Sequence, residues 1–229
     1  QIVDKVRVVH AGCGVNALSG LQKSCQFNIL QDHVGLISVA HQAVLRLSSF
    51  SNMVDMKTTH TSLPFAGHTL HFVEFDPASF REQDLLWLPH YAQLQHAGRK
   101  RKTEHLAGRI AAIYALREYG YKCVPAIGEL RQPVWPTGVY GSISHCGTTA
   151  LAVVSRQPIG IDIEEIFSVQ TARELTDNII TPAEHERLAE CGLTFSLALT
   201  LAFSAKESAF KACERQTDAG FLRYQIRNC

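Results

Sequence analysis

The chain of 229 residues has the length of one large domain or two small ones, and enough material to bury a core. Lys+Arg 22 against Asp+Glu 21 leaves a formal net charge of +1, which excludes a generally basic nucleic-acid binder and an acidic tail and makes any charge effect local. Hydrophobic content of 46% and charged content of 19% are those of a folded globular chain, and with no apolar run near ~18 residues and no secretory pattern in its opening residues it reads as soluble and intracellular.

Residues 1–52 differ from the rest in carrying few charges, and the two methionines, Met53 and Met56, make a start there and an extension before it the natural division. Within the extension, Val6 to Val9 reads as a strand leading into Gly12-Cys-Gly14-Val-Asn-Ala17, a loose dinucleotide fingerprint with Asp32 beyond it. Some fifty residues are too few for the several βαβ units such a domain needs. Thr69 to Phe75 alternates as a strand and ends at Asp76-Pro77. The run Arg99-Lys-Arg-Lys102 precedes a helix predicted to begin at an N-cap Thr103, with apolar positions Leu106, Ile110, Ile113 and Leu116 and a stop at Gly120. Pro133, Trp135 and Pro136 predict a rigid loop, followed by short strands over Val139–Ser144, Thr149–Ser155 and Ile159–Ile166. Thr181-Pro-Ala-Glu184 is a capping box opening a helix, and a further helix is predicted from Ser196 to Ala212. The mixture is α+β.

The seven cysteines, odd in number and without a C-x-x-C pair, indicate reduced and mostly buried thiols. His185-Glu186 opens like a zinc-protease helix, but Ala189 stands where the second His is needed.

Three segments can carry chemistry. In Ile159-Gly-Ile-Asp-Ile-Glu-Glu165 the period of two puts Asp162 and Glu164 on one face, roughly 7 Å apart at Cα, close enough to converge on one hard cation. Gly160 on the same face leaves room for a ligand. On the later helix, Phe203, Glu207 and Lys211 share a stripe flanked by Lys206, a carboxylate with ammonium groups beside it. His145, in Gly141-Ser-Ile-Ser-His-Cys146, can donate to an anion, as can the basic run and Arg109. Taken singly, each has a plainer reading: a solvated acidic strand face, an ordinary Glu to Lys surface pair, a structural histidine and a solvated loop.

Taken together and in order, Gly160-Ile-Asp162-Ile-Glu164 and Phe203-Ser-Ala-Lys206-Glu207-Ser-Ala-Phe-Lys211, preceded by Arg131-Gln-Pro-Val-Trp-Pro136 and Ser142-Ile-Ser-His145, resemble the signatures of the phosphopantetheinyl transferase superfamily, G-x-D-x-E and W/F-x-x-K-E-x-x-x-K. The resemblance runs from about Met53 to Leu222, roughly three quarters of the chain. It implies a pseudo-two-fold α+β fold with a transferase N-terminal half over 53–157 and a C-terminal half over 158–229, the latter incomplete beside family members that continue into further strands, so that a sheet edge stays unpaired and stability is reduced. It implies transfer of the 4'-phosphopantetheine arm of coenzyme A to a serine of apo aryl or peptidyl carrier domains of a siderophore synthetase. Asp162, Glu164 and Glu207 would hold Mg2+, Glu207 or a water on the metal would serve as base, and Lys211 as acid. Lys206, Ser144 and His145 would meet phosphate oxygens, and Lys100, Lys102, Arg109 and Arg131 the 3'-phosphate or adenine side. A monomer in the cytoplasm, with membrane contact at most peripheral on the inner face and no nucleic acid, completes the expectation. The alternative is an inactive relative that binds coenzyme A or carrier protein without turnover.

Overall fold

The computed structural model describes the backbone of residues 5–11 and 27–31, and residues 54–213, 222 and 224–226. The dinucleotide-like Gly12 to Ala17 and Asp32 lie outside the described residues. The strands are β1 (Lys5–Ala11), β2 (Phe27–Gln31), β3 (Thr58–Phe65), β4 (His68–Phe75), β5 (Ala126–Ile127), β6 (Pro133–Val134), β7 (Tyr140–Cys146), β8 (Thr149–Ser155) and β9 (Ile159–Glu165). The helices are α1 (Arg99–Glu118), α2 (Val169–Ile179), α3 (Pro182–Glu190) and α4 (Phe195–Ala212). They fall into two compact units, one of residues 35–157 and one of residues 1–34 with 158–229.

In the unit of residues 35–157 an antiparallel sheet of order β3-β4-β8-β7 is crossed by α1. β3 and β4 form a hairpin whose two turn residues, Ala66 and Gly67, both have positive φ, matching the twist of the strands they join. The alternation from Thr69 is realised in β4, and Thr149–Ser155 is β8 residue for residue. β3 is largely exposed and so shows no apolar alternation to read in the sequence. The periodic residues Leu106, Ile113 and Leu116 are buried, and Ala107, Ala111, Ala112 and Ala115 let the helix lie close to Ala150, Ala152 and Val154 of β8. α1 begins five residues earlier than predicted, with Gly98 rather than Thr103 as N-cap. Thr103 is buried inside it and returns its hydroxyl to Lys100 O (2.8 Å), so Arg99–Lys102 form the first helical turn rather than a preceding loop. Part of the expected proline loop is a short ladder, β5 with β6.

In the other unit the sheet order is β2-β1-β9, and α4 lies across β9 and β1. A Cβ on Gly160 would stand 1.8 Å from Ser208 O of α4, so this glycine admits a helix backbone and not, as the sequence suggested, a ligand. β9 has both faces buried, unlike the half-solvated strand its acidic residues describe on their own. Among the described residues β9 pairs on one edge with β1. α3 opens with the predicted box: Thr181 Oγ1 accepts from Glu184 N (3.4 Å), and Glu184 Oε2 accepts from Thr181 N (2.8 Å). α2, capped by Ser168, was missed although Ala172 and Ile179 point inward from it. Cys191 is disulfide-bonded, against the expectation of reduced thiols, whereas Cys123, Cys146 and Cys213 are in no disulfide. Among the described residues no helix is long and apolar enough to cross a membrane.

Candidate active site

The carboxylates predicted on β9 and α4 do meet in one unit. Asp162 is 2% exposed; its Oδ1 accepts from Lys211 Nζ at 2.7 Å and its Oδ2 from Ser204 Oγ at 2.8 Å. Lys211 also donates to Ile161 O (3.3 Å) and stands 3.9 Å from Glu207 Oε2. Ser204, Glu207 and Lys211 follow spacings of three and four along α4, so one helix stripe supplies all three. Ser204 was overlooked in the sequence, although that spacing already placed it.

Asp162, Glu164 and Glu207 face the ammonium of Lys211, so negative charge is in excess. Burial pushes Glu164 up to about 7, with the charge of Asp162 adding to it, and burial together with Asp162 also raises Glu207. Together with Asp162, these two carboxyls, which burial holds against their charged form, have the donor chemistry of a hard-cation site. As they stand, no group of three such donors among the described residues is arranged to hold a metal ion, and Lys211 occupies Asp162.

Lys206 departs from expectation. Its Nζ donates to Ile179 O (2.7 Å) and stands 2.9 Å from Glu184 Oε1, with both side chains 1% exposed. It ties α4 to α3 from inside the unit and is not available to phosphate. Burial opposes the charge on Glu184, but hydrogen bonds from Thr181 N, Ile226 N and Lys206 hold its carboxyl below the usual range.

The remaining predicted residues lie in the unit of residues 35–157. Lys100 is exposed beside Glu104 (3.8 Å), and Glu104 also stands 3.8 Å from His145 Nδ1. Lys102 is buried and spent on Glu82 (2.9 Å). Arg109 is buried, donates to Ala126 O (3.2 Å), and its Nε has no hydrogen-bond partner. Burial and the charge of Arg101 hold its guanidinium down to about 10. Ser144 is buried in β7. Arg131, at φ 64 between β5 and β6, lines an open cleft of about 570 Å³ together with Arg101, His96, His105 and the Gly98 cap of α1. Of the predicted anion ligands Arg131 alone lines this cleft. Arg101, within the basic run but not singled out, and the two histidines were missed; the start of α1, which carries Arg101 and His105, was misread by five residues. A positive cleft at a helix N-terminus whose cap offers no side-chain hydrogen bond suits a phosphate.

Residues 90–155 match the model of the 4'-phosphopantetheinyl transferase N-terminal domain, and residues 158–228 that of the 4'-phosphopantetheinyl transferase superfamily. The chain belongs to the 4'-phosphopantetheinyl transferase superfamily. Its activity class is that of a transferase. It is 94% identical over 171 residues to enterobactin synthase component D of Escherichia coli K12, covering 75% of this chain and 83% of that one. It is 64% identical over 167 residues to enterobactin synthase component D of Salmonella typhimurium, covering 72% and 71%. The 4'-phosphopantetheinyl transferase PptT of Mycobacterium tuberculosis is 34% identical over 121 residues, 49% of this chain and 51% of that one.

Proposed function

We propose that the chain transfers the 4'-phosphopantetheine arm of coenzyme A to a serine of an apo aryl or peptidyl carrier domain in enterobactin assembly. The serine Oγ forms a bond to the phosphorus bearing the pantetheine arm, the P–O–P bond of the pyrophosphate breaks, and adenosine 3',5'-bisphosphate leaves. The observation that carries the reading is the cluster of Asp162, Glu164, Glu207 and Lys211, in which one ammonium stands among three carboxylates on the segment that matches the superfamily model.

The donor set fits Mg2+, which favours a few carboxylates with water and substrate phosphate, and Asp162, Glu164 and Glu207 would hold it. When bound, the cation supplies charge neutralisation at the attacked phosphoryl group. Glu207, its pKa raised by burial, takes the proton of the serine, and Lys211 gives one to the leaving bisphosphate. Ser144 and His145 meet phosphate oxygens, and Lys100, Arg109 and Arg131 the 3'-phosphate or adenine side, where the cleft adds Arg101 and His105. Lys206 and Lys102 hold structural ion pairs instead. The protein works as a monomer in the cytoplasm, where coenzyme A and apo carrier domains are found.

Incubation with Mg2+, coenzyme A and an apo carrier domain tests this directly. The carrier gains the mass of one phosphopantetheine arm. No gain with this chain, under conditions where the Escherichia coli relative modifies the same carrier, overturns the proposal.

A further inference from the structure

Strand β9 carries Asp162 and Glu164, and among the described residues its only strand partner is β1. The two pair over seven consecutive positions, from Lys5 opposite Glu165 to Ala11 opposite Ile159, which sets Val8 across from Asp162 and Val6 across from Glu164. β1 is held on its far side by β2, from Val6 opposite Gln31 to His10 opposite Phe27. α4, which carries Ser204, Glu207 and Lys211, lies over β1 as well as β9. Both supports of the carboxylate cluster therefore rest on the same strand. That strand belongs to a segment outside both stretches that match the family models, residues 90–155 and 158–228.

We infer that the β1–β2 ribbon is a positioning element of the carboxylate site, an N-terminal strand that supplies the backbone ladder of β9. The physical reason is the burial of β9. From Ile159 to Ile163 its residues are almost wholly enclosed, so an unpaired N–H or C=O there would have no water to turn to. A ladder satisfies these groups and also fixes register, and a one-residue slip would exchange Asp162 and Glu164 for isoleucines on the face that meets Lys211. Carboxylates that must converge on a cation tolerate only a fraction of an ångström of play, and a strand tied on one edge and covered by a helix supplies that constraint. The inference rests on reading Asp162 and Glu164 as cation ligands.

The test uses the full chain. In Lys5→Cys/Glu165→Cys the cysteines are direct cross-strand partners, whereas in Ala11→Cys/Glu165→Cys they stand at opposite ends of the ladder, ~20 Å apart. Under mild oxidation the first variant yields the 5–165 linked peptide by mass spectrometry and the second yields none. Val8→Pro removes a ladder N–H from the middle strand. It speeds amide exchange of the peptide spanning 159–165 at least tenfold and weakens Mn2+ binding, measured by calorimetry on the free protein, at least tenfold. Val8→Thr, which keeps the N–H, matches the parent in both. Absence of the 5–165 link, or equal linking in the two cysteine variants, overturns the pairing. Formation of the link with unchanged Mn2+ affinity in Val8→Pro overturns the positioning role. A parent chain that binds Mn2+ but transfers nothing overturns the proposed reaction and leaves the positioning role standing; a parent that binds no Mn2+ overturns the positioning role.

Discussion

Lys206 and Glu184 form an ion pair sealed inside one unit, 2.9 Å between Nζ and Oε1 with each side chain 1% exposed. Removing one partner strands a charge without water, which costs about 3–5 kcal/mol, whereas replacing both by apolar groups of similar volume is close to neutral. Glu184→Ala therefore lowers the unfolding free energy by about 3–5 kcal/mol in urea denaturation, and Lys206→Met with Glu184→Leu recovers most of it. Folded Lys206→Met retains the coenzyme A KM of the parent. A large KM increase in that variant, without loss of stability, would return Lys206 to the phosphate role its motif suggests.

Gly160 and Ser208 make the closest approach between β9 and α4. Gly160→Ala places a methyl where Ser208 O already stands, 1.8 Å away, and must push the helix off the strand. We expect a loss of about 3 kcal/mol or more, at the upper end for overpacking. Gly98→Ala, with nothing within 4 Å of the added carbon, should cost under about 1 kcal/mol. Thermal melts of the two variants give the comparison, and equal melting temperatures would contradict the packing.

Glu207→Gln removes a carboxylate from the cluster while keeping its shape. Transfer to the apo carrier falls by at least ~100-fold, with the melting temperature within a few degrees of the parent. Ser204→Ala takes one hydrogen bond from buried Asp162, and a smaller fall of about tenfold is expected. Each is read from initial rates of carrier modification.

Histidine burial makes stability sensitive to acid. His60 Nε2 lies 3.0 Å from His71 Nδ1, and burial lowers both groups to about 4. The unfolded chain takes up these protons near pH 6.5 and the folded chain only near pH 4, so the stability they sustain is complete above pH 6.5 and is lost as pH falls toward 4. Glu164 acts in the opposite sense. Raised to about 7, it favours the folded state below pH 4.5, and that contribution disappears as pH rises through 7. Replacing His60 and His71 by Gln and Leu flattens the acid limb of melting temperature against pH, and Glu164→Gln flattens the limb between 4.5 and 7. A parent-like curve in either variant refutes the corresponding assignment.

The chemistry-bearing residues were legible because short-range rules govern them. Period two places Asp162 and Glu164 on one face of a strand, spacing four aligns Glu207 with Lys211, and Thr181 to Glu184 spells its own cap. The start of α1 was not legible, because Gly98 caps it without a side-chain signal and Thr103 looks like a cap while serving inside the helix. Nor was the division of labour among the cations. Lys206 and Lys211 lie on one helix, but packing against Glu184 buries the first, and Asp162 draws the second to the carboxylates.

By itself the sequence determined the residue types and spacings of the site, and with them the family. Only the tertiary structure decided that Gly160 makes room for α4, that Lys206 is sealed in an ion pair, and that β1 takes the edge of β9. Periodicity reports which face of an element is apolar, whereas partners on different elements are chosen by burial and by the need to pair backbone groups, which no local pattern records.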